Sequence, residues 1–221
     1  YFDTFRDKLW IVNKSTFVIT WDGATAVYLD GTGTLPNPPK GQYITHWKER
    51  VWMGRTDTEP SSVYFSALTD ANGTNINPSI SSAAWPAVNA FYIAQDDGSP
   101  IYAIKVYKDN LFIFKRTGIW RIIFESQFNT EVIQSVSNIG CKFQDSIVEL
   151  DNLIYFVGND GIYKFDGNDV VRISQDIDKR FKTLKQPSRL DKYQLWNTAT
   201  DFIQGTLTNI KHVLYYRQPI T

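Results

Sequence analysis

The sequence has 221 residues, with 23 Lys plus Arg balancing 23 Asp plus Glu, so no overall charge draws it toward nucleic acid, an anionic membrane or an acidic substrate. Its single Cys excludes an internal disulfide framework and a multi-cysteine metal cage. No apolar run approaches the roughly 18 residues that a membrane-spanning helix needs, and 7 Trp with 12 Tyr favour pleated, half-buried surfaces over helices.

In chain order, the first element is the phrase Phe5-Arg6-Asp7-Lys8-Leu9-Trp10-Ile11-Val12: a polar pair, then an apolar run. A polar pair at the tip of a tight turn followed by β-branched and aromatic residues reads as a turn leading into a buried strand. A polar turn, Asn13 to Thr16, precedes a second strand, Phe17 to Trp21, which ends in the reversal Trp21-Asp22-Gly23. Residues 31–41 hold Pro36, Pro38 and Pro39 and read as an extended connector, because proline cannot donate to a strand ladder. The phrase returns as Trp47-Lys48-Glu49-Arg50-Val51-Trp52-Met53. A long polar loop then spans 69–86 and ends in Trp85-Pro86; loops of that length commonly carry function, which makes Trp85 a candidate partner contact.

Asp96-Asp97-Gly98 reads as a turn before the strand Ile101 to Ile104. The third copy, Tyr107-Lys108-Asp109-Asn110-Leu111-Phe112-Ile113-Phe114, continues through the polar turn Lys115 to Gly118 into Ile119 to Ile123. The fourth, Leu150-Asp151-Asn152-Leu153-Ile154-Tyr155-Phe156-Val157, continues through Gly158-Asn159-Asp160-Gly161 into Ile162 to Phe165. There the Asp-Gly step is expected to supply a positive-φ residue. Phe165-Asp166-Gly167 repeats the aromatic-Asp-Gly reversal, and Val170 to Ser174 reads as an outer strand. A helix is expected near 175–185, with Ser174 as its cap, Ile177, Phe181 and Leu184 on one face and Pro187 as its stop.

Leu9, Val51, Leu111 and Leu153 lie 42, 60 and 42 residues apart, and a degraded fifth copy ends at Val213, another 60 on. Hairpins of this kind are marginal alone and must stack. Periods near 40 to 50 with several strands each point to an all-β, β-propeller-like array of antiparallel meander blades with one short helix. The expected organisation is a single propeller or partial-propeller domain over 1–221, with loop insertions near 31–41 and 69–86; the alternating spacing also fits blades that come in unequal pairs.

Candidate chemistry is sparse. His46 and His212 sit far apart among strand-like residues, and no Cys, His and acidic cluster has metal-ligand spacing, so no metal site is expected. Cys141, among Ile139, Phe143, Ile147 and Val148, reads as a small buried side chain. Neither a Gly-x-Ser-x-Gly elbow nor a phosphate-binding glycine loop is present, which leaves no catalytic residue and no cofactor to name. Asp96 and Asp97 are the densest carboxylate pair for a glycosidase-type alternative, with Trp21, Trp120 and Trp196 as conceivable sugar platforms, although turn and packing roles explain them more simply. A basic run from Lys179 to Lys192 makes Lys179, Arg180, Lys182 and Lys185 further candidate contacts for an acidic surface. The chain opens at Tyr1 without a Met, so the lack of a visible signal peptide carries little weight.

The passages Gly41 to Trp52, Ser62 to Leu68, Ile104 to Leu111 and Asn138 to Tyr163 resemble the β-propeller virion proteins of tailed bacteriophages, of the tail tubular, nozzle or tail-hub type, over most of residues 41–185. The resemblance rests on strand and turn patterns rather than on a chemical signature. It implies a structural, non-enzymatic role in the virion tail, after assembly in the cytoplasm. The chain would form a homo-oligomeric ring that contacts other tail or portal-proximal proteins, with DNA passing through unread and no membrane span. The alternatives are a carbohydrate-binding or glycan-cleaving propeller and a generic propeller scaffold.

Overall fold

A computed structural model describes residues 1–69, 72–126, 129–134 and 137–175. The chain divides into two units, Tyr1–Gln175 and Asp176–Thr221. The expected helix near 175–185, the fifth repeat ending at Val213, and Lys179, Arg180, Lys182, Lys185, Trp196 and His212 lie outside the described residues.

Tyr1–Gln175 is built from four antiparallel four-stranded sheets. Blade 1 comprises β1 (Phe2–Phe5), β2 (Lys8–Ile11), β3 (Val18–Trp21) and β4 (Ala26–Leu29). Blade 2 comprises β5 (Tyr43–Trp47), β6 (Arg50–Gly54), β7 (Ser62–Phe65) and β8 (Ala90–Tyr92). Blade 3 has β9 (Ile101–Tyr107), β10 (Asn110–Lys115), β11 (Ile119–Ser126) and β12 (Asn129–Gln134). Blade 4 has β13 (Val148–Leu150), β14 (Leu153–Val157), β15 (Ile162–Phe165) and β16 (Val170–Arg172). In every sheet the spatial order of strands follows the chain, which is the meander of a propeller blade.

The repeated phrase is the first hairpin of each blade. Its polar pair forms a two-residue turn with both residues at positive φ: Arg6 and Asp7 at 49° and 57°, Lys48 and Glu49 at 48° and 56°, Lys108 and Asp109 at 46° and 54°, Asp151 and Asn152 at 49° and 63°. This backbone matches the right-handed twist of the strands it joins, and it pairs Phe5 with Lys8, Trp47 with Arg50, Tyr107 with Asn110 and Leu150 with Leu153. The longer spacing between Val51 and Leu111 comes from one insertion, residues 66–89, between β7 and β8. That insertion has its own small core of Ala67, Ile76 and Ala84, and Arg6 ties it to blade 1 by donating to the Ile76 carbonyl at 3.0 Å. Residues 30–42 form the expected connector without strand structure.

The glycines depart from expectation at one turn. Gly161 is not at positive φ; the positive angles belong to the aromatic-Asp-Gly reversals, Gly23 at 100° and Gly167 at 104°. There Asp22 accepts the N–H groups of Ala24 and Thr25, and Asp166 those of Asn168 and Asp169, closing the two outer hairpins in the same way. Gly161 is needed for space instead, since a Cβ there would lie 2.4 Å from Ser174 Oγ. The Ser174 hydroxyl accepts the Ile162 N–H at 2.9 Å, a bond within blade 4.

Three apolar cores lie between successive blades. Phe5, Trp10, Val18 and Leu29 of blade 1 meet Ile44, Val51 and Met53 of blade 2. The other face of blade 2, with Tyr43, Trp52, Val63 and Phe65, packs on Ile104, Leu111, Ile113, Trp120 and Ile122 of blade 3. Ala103, Phe112, Phe114 and Ile119 then pack on Ile154, Phe156, Tyr163 and Phe165 of blade 4. Cys141 fills the same core, and Gly140 passes so close to blade 3 that a Cβ would sit 1.8 Å from the Lys115 carbonyl oxygen.

Candidate functional site

The first strands of the blades run side by side, start with start and end with end. At their far ends, Trp47 donates its indole N–H to Asp109 at 3.2 Å and Tyr107 donates to the Asn152 carbonyl, so two blades latch onto the turn of the next at equivalent positions. Midway, Asp3 of β1 accepts both the His46 backbone N–H at 2.8 Å and a contact from its Nδ1 at 2.9 Å. Lys105 of β9 reaches Glu149 of β13 at 3.7 Å. His46 is thus an exposed strand histidine held by a neighbouring blade.

The near ends gather aromatic and cationic groups from four parts of the chain. The Tyr1 and Tyr43 rings lie 5.0 Å apart, and Tyr1 faces Asp145 at 3.5 Å. Arg55 follows β6 in a bulge: the Gln42 N–H reaches the carbonyls of both Gly54 and Arg55, at 3.0 and 2.9 Å, and Arg55 takes φ 60°. Two residues opposite one turn the side chain aside from the ladder, and its guanidinium donates to the Ile101 carbonyl at 3.2 Å and lies 3.4 Å from the Tyr43 hydroxyl. Arg116, at the tip of the turn closed by the Lys115 N–H and Gly118 carbonyl, donates to the Tyr102 hydroxyl at 2.9 Å. Both guanidinium groups lie 5.5 Å from the Tyr102 ring centroid, a cation–π distance. Lys142 completes the group: burial, then the charge of Arg116, lowers its ammonium pKa. Burial raises the Tyr43 phenol against the pull of Arg55, and burial with the Asp145 carboxylate raises that of Tyr1.

Beneath this surface a charged pair is wholly structural. Lys115 has a side chain 0% exposed, and its Nζ donates to Asp97 at 2.6 Å, Ala94 O at 2.8 Å, Ile93 O at 2.9 Å and Ser61 Oγ at 3.2 Å. Burial raises the Asp97 pKa, but hydrogen bonds from Lys115, Thr117 and the Ser99 N–H outweigh it and leave the carboxyl below its ordinary value. Asp97 is therefore committed to the seam between blades 2 and 3. Asp96 and Asp97 do form the expected turn before β9.

Trp85 is partly buried between the insertion core and the blade 1–2 core, with its indole N–H on the Pro78 carbonyl at 3.1 Å. Trp120 lies in the core between blades 2 and 3, whereas Trp21 is 43% exposed beside an open cleft of about 470 Å³ along Thr4 to Leu9. Burial pushes the Cys141 thiol up to about 11, so it stays protonated at neutral pH. Among the described residues no group of three or more His, Cys, Asp or Glu is placed to hold a metal ion, and no helix is long and apolar enough to cross a membrane. The reading of the sequence did not single out Arg55, Tyr102, Arg116 or Lys142. They come from different blades and connectors, and no local motif links them.

No family model matches the chain, and no curated protein matches it in sequence. Among solved structures it is similar to the extracellular domain of BT4673, a hybrid two component system protein of B. thetaiotaomicron, at 13% identity and TM-score 0.35, over 78% of this chain and 27% of that one. It is also similar to YCF48 from Cyanidioschyzon merolae at 14% identity and TM-score 0.31, over 76% of this chain and 69% of that one. Likeness at this distance carries no weight for role, and the fold rests on the strand order and register of the four blades.

Proposed function

We propose that this chain is a structural propeller component that works by binding other protein subunits, and that its setting is the tail of a bacteriophage, as part of an oligomeric ring around the path of the DNA. The observation that carries the binding part is the second face of blade 1. The cross-strand row Phe2, Ile11, Ile19 and Tyr28 leaves Phe2 73% and Tyr28 56% exposed, beside Trp21 at 43%. Apolar side chains gathered on an open sheet face mark a protein-contact surface rather than a catalytic one. The buried polar chemistry points the same way, since the Lys115–Asp97 pair is spent on joining blades. The phage setting draws its support from the resemblance over residues 41–185 alone.

The test is the assembly state of the full-length protein, by mass in solution and by negative-stain electron microscopy, together with immunogold labelling of virions from the source phage. Rings in solution and label on the tail are the expected results. A monomer at high concentration with unlabelled virions would remove the reading.

A further inference from the structure

We infer that the cluster of Arg55, Tyr102, Arg116 and Lys142 at the near ends of the first strands is a docking site for carboxylate side chains of an acidic protein segment. The inference names a contact chemistry within the protein-binding role proposed above and rests on that reading for its biological setting.

Arg55 and Arg116 share one tyrosine ring, each 5.5 Å from its centroid, and none of Arg55, Arg116 and Lys142 has a carboxylate within ion-pair distance among the described residues. The ammonium pKa of Lys142 is lowered first by burial and then by the repulsion of the nearby Arg116 charge. An incoming anion relieves that repulsion. The side chains are also held ready: Arg55 by its bulge and its bond to the Ile101 carbonyl, and Arg116 by its backbone bond to Ser99 Oγ at 3.2 Å and its side-chain bond to Tyr102. A planar guanidinium offers a fork that matches a carboxylate in two bonds, so little side-chain freedom remains to be lost on binding.

The choice of an acidic protein segment over nucleic acid follows from the extent of the charge. A nucleic-acid strand needs a basic track that follows its backbone. Among the described residues three cations form an island bordered by Asp145 on the Tyr1 side, on a chain whose charges balance. At the far ends of the same strands, Asp7, Glu49 and Asp109 each sit beside a cation, Arg6, Lys48 and Lys108, in the first-hairpin turns, and Asp151 sits beside Asn152, so the basic track does not continue there. A discrete carboxylate or a pair of them fits the island, whereas a polyanion extending along the strands would run out of that track.

The experiment uses the full chain and a fluorescein-labelled hexaglutamate peptide, read by anisotropy at low and at physiological salt. A labelled single-stranded hexanucleotide and inorganic phosphate serve as competitors. Saturable peptide binding is expected, weakened at least tenfold in the Arg116→Ala/Lys142→Ala double variant and in Arg55→Ala, and unchanged in Lys8→Ala, which lies at the opposite end. Thermal unfolding of each variant confirms that the fold persists, and Arg55→Lys, which keeps the charge without the fork, is expected to recover only part of the affinity. Absence of peptide binding at millimolar concentration, binding unaffected by the double variant, or tighter binding of the oligonucleotide or phosphate than of the peptide would each overturn the inference. Mass measured on the same samples separates the two readings: rings that do not bind peptide sink the docking site alone, and a monomer that binds it sinks only the ring.

Discussion

Blades 2 and 3 are packed on both faces, and blades 1 and 4 among the described residues are packed on one. In blade 2 every residue of β6, Arg50 to Gly54, is buried, and β10 of blade 3 is buried from Leu111 through Lys115. In blade 1 burial alternates along β3, and in blade 4 it alternates along β14. The strand that follows the repeated turn is thus buried along its length in blades 2 and 3, where it has two neighbours, and at alternate residues in blade 4, where it has one, for the reason that separates doubly covered from singly covered sheets.

That contrast can be broken most directly at its tryptophans. Trp52→Ala empties a fully buried position between blades 2 and 3 and is expected to destabilise the fold by about 3–5 kcal/mol, whereas Trp21→Ala on the exposed face of blade 1 is expected to lose less than about 1 kcal/mol. Urea unfolding of the two variants measures the gap, and equal losses would mean that blade 1 is covered on both sides. The two inter-blade lysines form a second pair. Lys115→Ala removes a wholly buried cation and leaves Ile93 O and Ala94 O without their donor, for an expected loss of roughly 3 kcal/mol. Lys105→Ala breaks a pair exposed by 42% and 44%, worth at most about 0.5 kcal/mol.

Gly140→Ala tests the seam between blades 3 and 4, where the added methyl would meet the Lys115 carbonyl oxygen and backbone must move. A loss of about 1–3 kcal/mol is expected in the same assay. Acid sharpens the comparison further. The folded pKa of Asp97 lies below its ordinary value of 3.8, so its contribution is fully present above that value and is lost as pH falls through the folded value. Melting curves of the wild type and Asp97→Asn should therefore differ near neutrality and draw together only as pH falls below 3.8 toward the folded value. The smallest effect is expected at a turn: Lys48-Glu49→Asn-Gly replaces two residues held at positive φ with the preferred pair and should raise stability by about 0.5 kcal/mol.

Much of this fold was legible in the sequence because its information is local. Four polar pairs at recurring positions, each ahead of an apolar run, announced four tight turns, since a polar pair suits the exposed tip of a hairpin and the apolar run its buried strand. The connector at 31–41 and the insertion at 69–86 followed from proline chemistry and from spacing. The Asp160-Gly161 step was misread because the same dipeptide serves either a positive φ or a close approach, and only the position of Ser174 decides between them. Lys115 looked like one more residue of a polar turn, yet it closes a buried strand, because the acceptors that receive its charge lie in the connection between blades 2 and 3.

The sequence by itself determined the repeating hairpin, its turns and the preference for stacked sheets, all of which depend on residues a few positions apart. Tertiary structure alone decided which blades have two neighbours, that Asp97 serves a seam, and that Arg55, Tyr102, Arg116 and Lys142 meet at one end of the blades. Those outcomes depend on how separate hairpins lean together, and the energy of a face, an ion pair or a cation cluster is defined only once its partners arrive from elsewhere in the chain.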